Sequence, residues 1–373
     1  MNFDKEDVFQ IGETFRGYRI ERLLGNGALG AVYLVKNEAD SNRYALKVLF
    51  PQVALENGSY VKRFIREAKI ATEIRHPNLV TVYECDFDEA RGLYYLVMDF
   101  VNGGDLRQAI AFAGRFAPDR AVEVILQVAS ALEEAHKYKV VHRDIKPENI
   151  MIQPDGLVKL VDLGIAKAGD MKDSLNTTTE TVFGTPAYVA PEQALDASKV
   201  DTRADIYSLG VVLFEMIAGK PPFSGENAPQ ILAQSLSCDP FPDIRDFNKD
   251  VPPMLAVLIR RMCVKEKSRR IANPTALIKE FERLGYRLER PKSAVDGFRP
   301  DADVAPTLMS VKDVLERLPS GQNDTLSFET EDVEIRQFVA GLKRKRLAKR
   351  IMAAIAAVAV AFLAAWLVMA IMR

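Results

Sequence analysis

The segment VVHRDIKPENIMI, residues Val140 to Ile152, has apolar ends that are typical of buried strands and a centre filled with charged and polar side chains. Within that centre, Asp144 and Asn149 lie five residues apart, with Lys146 between them. A loop with this spacing can direct its side chains to one place, where a carboxylate accepts a proton, an amide oxygen holds a metal ion and an ammonium neutralises phosphate. The segment therefore indicates chemistry on a phosphoryl group.

A glycine-rich stretch further upstream, LGNGALGAV from Leu24 to Val32, fits the same chemistry. Its glycines, Gly25, Gly27 and Gly30, would let backbone amides close over phosphates without a side chain in the way. A helix after such a stretch would indicate a dinucleotide-binding fold, whereas the sequence that follows here, AVYLVKN, predicts a strand. This context favours a hairpin that covers phosphates.

The chain divides into a strand-rich part and a helix-rich part. Short runs such as YRIERLL, AVYLVKN and RYALKVLF predict antiparallel hairpins before residue 98, interrupted by one helix at YVKRFIREAKIATEI. From about residue 102, runs such as RAVEVILQVASALEEAHKY and DIYSLGVVLFEMIAG predict helices, the second of them buried. We therefore expect an α+β fold with two lobes over residues 12–288, after an N-terminal extension at residues 1–11.

Taken in order along the chain, these motifs resemble the set that defines the protein kinase superfamily. The catalytic loop of that family, H-R-D-x-K-x-x-N, is matched by His142, Arg143, Asp144, Lys146 and Asn149. The rest of the set consists of the glycine-rich stretch, Lys47 in YALKV, Glu67 in FIREAKI, Asp162 in VDLG and the segment GTPAYVAPE at 184–192. Leu163 stands where the family usually has phenylalanine and keeps that position apolar. The resemblance covers residues 12 to about 288 and implies the two-lobed kinase fold, with an antiparallel sheet in the first lobe and mainly helices in the second.

The resemblance also implies a role for each residue. Asp144 would accept the proton of the attacking hydroxyl, and Lys146 would steady the γ-phosphate of ATP. Lys47, paired with Glu67, would orient the nucleotide, while Asn149 and Asp162 would hold Mg²⁺, or Mn²⁺ in its place. The remaining implied nucleotide contacts are Val32 and Ala45 above the adenine, Met151 below it, Met98 behind it, the backbone of Asp99 and Val101 at its edge, Asp105 at the ribose, and Leu24.

The implied substrate is a serine or threonine hydroxyl of a protein. The loop reads DIKPEN rather than the tyrosine-kinase form, and Thr185 is expected to contact Asp144 and Lys146. Glu192 at the end of GTPAYVAPE is expected to pair with Arg270. Arg143 needs an anion, which a phosphate on the activation segment would provide. We therefore expect autophosphorylation at one or more of Ser174, Thr177, Thr178, Thr179 and Thr181.

Two other functions are compatible with this set of motifs. A membrane-tethered pseudokinase scaffold would have the fold without turnover, but pseudokinases usually lose a residue that handles metal or proton, and none is missing here. A small-molecule phosphotransferase would share the core but tends to lack a segment like GTPAYVAPE. The overall pattern resembles the bacterial eukaryotic-type serine/threonine kinases that carry a membrane helix after the catalytic domain.

Composition excludes other classes of function. The net charge is -1, with 50 basic and 51 acidic residues, which gives no indication of a nucleic-acid partner. The three cysteines are far apart and form no CxxC or Cys/His pattern, so neither a zinc site nor a disulfide framework is indicated. No signal peptide is recognisable at the N-terminus.

The C-terminal part predicts a membrane anchor. Residues 289–342 are polar and typical of a flexible linker, and residues 343–350, KRKRLAKR, form a basic flank. Residues 351–372 contain no charge and would span about 33 Å as a helix, enough to cross a hydrocarbon core of about 30 Å. The basic flank predicts a single-pass protein of the cell membrane with the catalytic domain in the cytoplasm and the C-terminus outside. Alanines recur every fourth residue from Ala353 to Ala365, which is compatible with a homodimer through this helix or the kinase domain, although nine alanines in 22 residues also produce such a stripe by chance.

Overall fold

The strand-rich part of the chain forms an antiparallel sheet. The computed structural model describes residues 8–27, 30–50, 64–65, 68–163, 186–196 and 199–288, all within one of the two units into which the chain divides. Six strands in these residues are β1 Thr14–Phe15, β2 Tyr18–Asn26, β3 Gly30–Asn37, β4 Arg43–Leu49, β5 Val82–Asp88 and β6 Leu93–Asp99. They pair in the order β1-β2-β3-β4-β6-β5. The hairpins predicted from YRIERLL, AVYLVKN and RYALKVLF are thereby confirmed.

Alternation along β3 sends its side chains to the two faces of the sheet. Tyr33 and Val35 join a large aromatic and aliphatic cluster on one face. Val32 and Leu34 join a smaller apolar cluster on the other face, together with Leu24 and Ala45. The smaller cluster therefore contains Val32 and Ala45, which are predicted to lie above the adenine, and Leu24, another predicted nucleotide contact.

The helix predicted before residue 98 is described in part. Residues 64–65 and 68–71 are helical, as YVKRFIREAKIATEI predicts. Phe64, Ala68 and Ala71 are buried in the main apolar core, which they share with helices of the second lobe. The helix therefore packs its apolar stripe inward.

Helices dominate the described residues after 105. They are α1 Leu106–Ala113, α2 Pro118–Lys137, α3 Pro191–Leu195, α4 Arg203–Ala218, α5 Ala228–Leu236, α6 Pro253–Met262 and α7 Pro274–Arg283. Helix α4 corresponds to DIYSLGVVLFEMIAG and is buried almost all round, as its apolar sequence predicts. Around it pack α2, α6 and the segment that precedes α3.

A small three-stranded sheet frames the predicted catalytic loop. Its strands are β7 Gly104–Asp105, β8 Ile150–Ile152 and β9 Val158–Leu160, in the order β7-β8-β9. The downstream apolar end of VVHRDIKPENIMI is therefore a strand, as its sequence predicts. The upstream end, residues 140–141, forms no strand and leads directly into the loop.

The predicted linker at 289–342, the basic flank at 343–350 and the membrane span at 351–372 lie outside the described residues. Among the helices that the structure does describe, none combines the length and the apolar character that a membrane crossing requires.

The hairpin packs closely against β4 at Gly30, where β3 begins, and a substitution there can test this. A Cβ atom there would lie 1.9 Å from the carbonyl oxygen of Val48 on β4, whereas one at Gly27 would come no closer than 3.7 Å to any atom outside its chain neighbours. We expect Gly30→Ala to lower the free energy of unfolding by about 1–3 kcal/mol, because backbone cannot move aside as a side chain can. Urea unfolding of the two variants checks this, with Gly27→Ala as the matched control; equal stability would contradict the close approach.

Candidate active site

One buried carboxylate fixes the backbone of the catalytic loop. Asp205, in the first turn of α4, is fully buried and accepts hydrogen bonds from the backbone N–H of His142 at 2.9 Å and of Arg143 at 2.8 Å. His136 at the end of α2 lies 3.0 Å from the same carboxylate through Nε2. Arg143 has a φ of 62°, a conformation that costs a non-glycine residue about 1–3 kcal/mol. The two amide bonds to Asp205 hold the loop in this strained shape.

The imidazole of His142 joins the loop to the strand that leads to Asp162. Its Nδ1 accepts from the backbone N–H of Asp144 at 3.3 Å, so Nε2 carries the proton and donates to the carbonyl of Val161 at 3.0 Å. The ring is fully buried. His142 therefore sets the distance between Asp144 and the residue after Val161, and takes no proton from a substrate itself.

The predicted catalytic residues of the loop lie within contact of one another. Asn149 donates from Nδ2 to the Asp144 carboxylate at 3.0 Å and to the Asp144 carbonyl at 2.8 Å. Lys146 places Nζ 3.3 Å from the same carboxylate. The Asp144 carboxylate is thus positioned by an amide and an ammonium, and it remains partly accessible, with 17% of the side chain exposed.

The second group of predicted residues forms an ion pair across the cleft. Nζ of Lys47 on β4 lies 2.5 Å from Oδ1 of Asp162, although the two residues are 115 positions apart. Burial raises the pKa of the Asp162 carboxyl, but the charge and hydrogen bond of Lys47 outweigh it, and the pKa is lowered. For Lys146, burial lowers the pKa of the ammonium, but the Asp144 and Glu148 carboxylates reverse the effect and raise it. At neutral pH Asp162 is therefore a charged carboxylate and Lys146 a charged ammonium.

The residues predicted around the adenine form two small apolar clusters that meet at Met98. One contains Leu24, Val32, Leu34 and Ala45, with Phe100 packed against it. The other contains Val80, Val101 and Met151. Met98 packs against both. The end of β6 and the segment after it thus connect an apolar cluster of the first lobe to one of the second, as a site for a planar ring between the two clusters requires.

Two of the predicted nucleotide contacts have protein partners of their own. The backbone N–H of Asp99 donates to the Thr81 carbonyl at 2.9 Å, and its side chain pairs with Lys159 at 3.0 Å, so neither of these two groups is left for an adenine edge. Asp105 is 1% exposed and caps α1, where Oδ1 accepts from the backbone N–H of Gln108 at 2.8 Å. A ribose contact at Asp105 stays a prediction.

The remaining predicted residues are described in part. Gly25 pairs with Val32 across the hairpin, and the N–H of Gly27 donates to the Gly30 carbonyl at 2.9 Å. Leu163 is 5% exposed within the main core, so leucine fills the apolar position expected of it. Glu67, Thr185 and the predicted phosphorylation positions between 174 and 181 lie outside the described residues.

The predicted pair of Glu192 and Arg270 is present and bidentate. The guanidinium of Arg270 reaches both carboxylate oxygens of Glu192, at 2.7 and 2.9 Å, and none of the arginine side chain is exposed. Arg270 also donates to the Arg203 carbonyl at the start of α4, at 2.7 Å. The segment at 186–196 is thereby tied to α4.

Sequence reasoning missed Asp205 and a second group of buried polar residues. Arg107 on α1 contacts Glu148 in the catalytic loop, Glu215 on α4 and the hydroxyl of Tyr188. A signal for both was available: Asp205 and Glu215 are the acidic residues of a helix whose other residues are too apolar for a surface helix. Acidic side chains in such a helix must be buried and paired.

Comparison with known proteins agrees with this architecture. The family model described as "Protein kinase domain" matches residues 18–281, so the chain belongs to the protein kinase family. It is 37% identical over 257 residues to the serine/threonine-protein kinase PrkC of Bacillus subtilis, covering 69% of this chain and 39% of that protein. It is 41% identical over 229 residues to the serine/threonine-protein kinase PknB of Mycobacterium tuberculosis H37Rv, covering 60% of this chain and 36% of that protein.

The fold also matches solved structures. A crystal structure of the Mycobacterium tuberculosis PknI kinase domain aligns with a TM-score of 0.58 at 28% identity, covering 74% of this chain and 99% of the other. The two-lobed kinase fold expected from the sequence is confirmed. The chain spans less than half the length of the curated relatives, so the resemblance concerns the kinase domain.

Replacing Asp205 tests whether the catalytic loop depends on it. Asp205→Asn keeps the size of the side chain but turns one of the two accepting oxygens into a donor facing a backbone N–H. We expect the free energy of unfolding to fall by about 1–3 kcal/mol, the cost of an unsatisfied buried group. Thermal unfolding measures it, with the exposed Asp246→Asn as the matched control; equal melting temperatures would show that the loop holds its shape unaided.

The pair of Lys47 and Asp162 gives the stability a pH dependence. The pKa of Asp162 is lower in the folded chain than the value of about 3.9 for an unfolded aspartate, so the pair stabilises fully above this value and its contribution is lost as pH falls through the lowered pKa. In Lys47→Met, burial and the Asp144 carboxylate raise the pKa of Asp162 and only the more weakly acting Lys146 opposes them, so we expect that pKa to rise. We therefore expect the advantage of the wild type in urea unfolding to shrink between about pH 7 and about pH 4.

Lys249→Met, at an exposed lysine, is the control for that measurement and should show the same stability difference at both pH values. A difference between wild type and Lys47→Met that does not change with pH would mean that the ion pair does not control the charge of Asp162.

Proposed function

We propose that the chain is a serine/threonine protein kinase that transfers the γ-phosphoryl group of ATP to serine or threonine hydroxyls of proteins. One observation carries the proposal: the groups that proton acceptance, phosphate binding and metal binding require are gathered at one cleft. Asp144 with Lys146 and Asn149 stands on one side, and Lys47 with Asp162 on the other, linked through His142 and Val161. The names of the relatives support the choice of serine and threonine.

The residues of the chain divide the reaction as follows. The Asp144 carboxylate accepts the proton of the substrate hydroxyl and orients its oxygen toward the phosphorus. The Lys146 ammonium, with its raised pKa, stays charged and stabilises the negative charge on the transferred group. Lys47 orients the nucleotide phosphates, and the slot between Val32 and Met151 holds the adenine ring.

The donor set fits Mg²⁺, and Mn²⁺ as a substitute. Asn149 uses its amide nitrogen on Asp144, which leaves Oδ1 as an oxygen ligand, and Asp162 supplies a charged carboxylate. No group of three or more acidic, cysteine or histidine ligands occurs in the described part of the chain, so the ion would need phosphate and water oxygens to complete its coordination, as Mg²⁺ usually does. When bound, the ion neutralises phosphate charge.

A pseudokinase scaffold is the alternative, and the geometry favours turnover. A scaffold needs neither a positioned proton acceptor nor a charged metal ligand, whereas both Asp144 and Asp162 are held by specific partners here. A small-molecule phosphotransferase is less consistent with the segment at 186–196, which the bidentate Glu192 and Arg270 pair and the Tyr188 contacts tie to the second lobe.

We also propose that the activation segment is autophosphorylated. Nε of Arg143 is buried and has no hydrogen-bond partner among the residues that the structure describes. A buried guanidinium nitrogen favours an anion, and a phosphothreonine supplies one with three acceptor oxygens. Thr177, Thr178, Thr179 and Thr181 are the candidate positions, together with Ser174.

Membrane anchoring belongs to the same proposal. Residues 351–372 have the length and the lack of charge that a spanning helix needs, and the basic flank at 343–350 favours a cytoplasmic kinase domain. The protein would then phosphorylate proteins near the inner face of the cell membrane. A homodimer through Ala353 to Ala365 or through the kinase domain is compatible with this arrangement.

Asp144→Asn tests the proposed chemistry. The amide keeps the size of the side chain but cannot accept the proton, so we expect phosphate transfer to serine or threonine peptides to fall at least about 100-fold with little change in ATP binding. The measurement uses the full chain in detergent with labelled ATP and Mg²⁺, and the exposed Asp155→Asn serves as control. Equal incorporation by wild type and Asp144→Asn would refute the mechanism, and no incorporation by either would favour the pseudokinase.

A further inference from the structure

Three basic residues form a row across three neighbouring interior strands of the first-lobe sheet. Arg19 on β2 lies directly opposite Lys36 on β3, which in turn lies directly opposite Arg43 on β4. Residues that face each other across paired strands point to the same side of the sheet. The row is exposed at all three positions.

A row of like charges lowers the stability of a sheet unless groups of opposite charge neutralise it. Like charges directly opposite each other destabilise a sheet. Basic residues often protect edge strands from unwanted pairing, but β2, β3 and β4 are interior strands of this sheet, so that explanation fails. Glu21 compensates Arg43 at 2.8 Å. Arg19 and Lys36 have no acidic partner among the described residues.

The row lines a cavity of about 810 Å³, which we call the basic groove. Four cations, Arg19, Arg22, Lys36 and Arg43, and one carboxylate, Glu21, face it. Its apolar lining includes Ile11, which is 76% exposed, and Phe100. The volume lies in the range of about 300–1,000 Å³ typical of ligand pockets, far more than a single inorganic anion fills.

The triphosphate of ATP does not explain these charges. The glycine-rich hairpin lies at Gly30, where β3 begins, and Lys36 lies near the other end of that strand. Six residues of extended strand separate the two positions by about 20 Å at roughly 3.3 Å per residue. The basic groove therefore lies away from the triphosphate and next to the adenine end of the cleft, where Leu34 and Phe100 border both.

We propose that the basic groove binds an acidic peptide segment of a protein partner, with an apolar side chain of the peptide against Ile11 and Phe100. Cations in excess over Glu21 favour a negatively charged ligand, and the apolar lining favours a peptide over a bare polyanion. Nucleic acid fits less well, because binding to its phosphates relies on extended basic surfaces and the chain carries no net positive charge.

Fluorescence anisotropy with the full chain in detergent tests this proposal. The probe is a fluorescein-labelled, glutamate-rich peptide with one central leucine. We expect saturable binding that weakens as salt increases, because exposed charges are screened over about 8 Å at physiological ionic strength. The double variant Arg19→Glu/Lys36→Glu should bind at least about tenfold more weakly.

The double variant Lys249→Glu/Lys279→Glu changes the charge equally at exposed positions of the second lobe and should bind as the wild type does. Lys36→Met alone, which adds no new charge, should weaken binding in the same direction and guards against a folding defect in the double variant. Asp144→Asn should retain binding, which separates this proposal from the proposed kinase activity.

Three outcomes would overturn the proposal. They are an absence of saturable binding to the wild type, equal binding by wild type and Arg19→Glu/Lys36→Glu, and binding of polyphosphate or single-stranded RNA as tight as that of the peptide at equal salt. The last would show a general anion surface instead of a peptide site.

Discussion

The catalytic loop depends on the burial of a single carboxylate. Asp205 is removed from water, which is costly for a charged group unless hydrogen bonds replace its hydration. Two backbone amides of the loop and the ring of His136 provide those bonds. The arrangement is therefore mutual: the loop keeps its strained shape because Asp205 binds it, and Asp205 tolerates burial because the loop supplies donors.

Buried hydrogen bonds also fix the positions of two turns that are distant in sequence, one at Arg143 and one at Asp162. Arg143 and Asp162 both have positive φ, at 62° and 54°. Arg143 lies between His142 and Asp144, whose backbone N–H donates to the His142 ring. Asp162 follows Val161, whose carbonyl accepts from the same ring. Strain of this kind persists only where the surroundings specify the conformation. Here a fully buried imidazole joins the two strained turns, so the carboxylates of Asp144 and Asp162 are positioned by one rigid connection.

The sequence predicted the parts of this site that are local and missed those that are distant. Asp144, Lys146 and Asn149 fall within six residues, and their contacts follow from one loop. Asp205 binds residues 62 and 63 positions away, and periodicity carries no information about such partners. Asp105 shows the opposite case: an aspartate before a helix is suited both to a ligand and to a helix cap, and only the structure shows that it caps α1. The fold was more predictable than the site because alternation and helical periodicity extend over many residues.

Helix α4 contacts both the catalytic loop and the segment at 186–196 through three buried polar residues. Asp205 holds the catalytic loop, the Ser208 hydroxyl donates to the Tyr188 carbonyl at 2.6 Å, and Glu215 contacts Tyr188 and Arg107. Arg107 in turn reaches Glu148 in the catalytic loop at 3.0 Å. Replacing Arg107 and Glu215 together by apolar residues of similar size could leave stability unchanged, since buried ion pairs add little net free energy. It would, however, release the loop that carries Asp144 from the segment at 186–196. The pair of Arg107 and Glu215 therefore specifies geometry more than it adds stability, because it joins helix α4 to the catalytic loop and to the segment at 186–196.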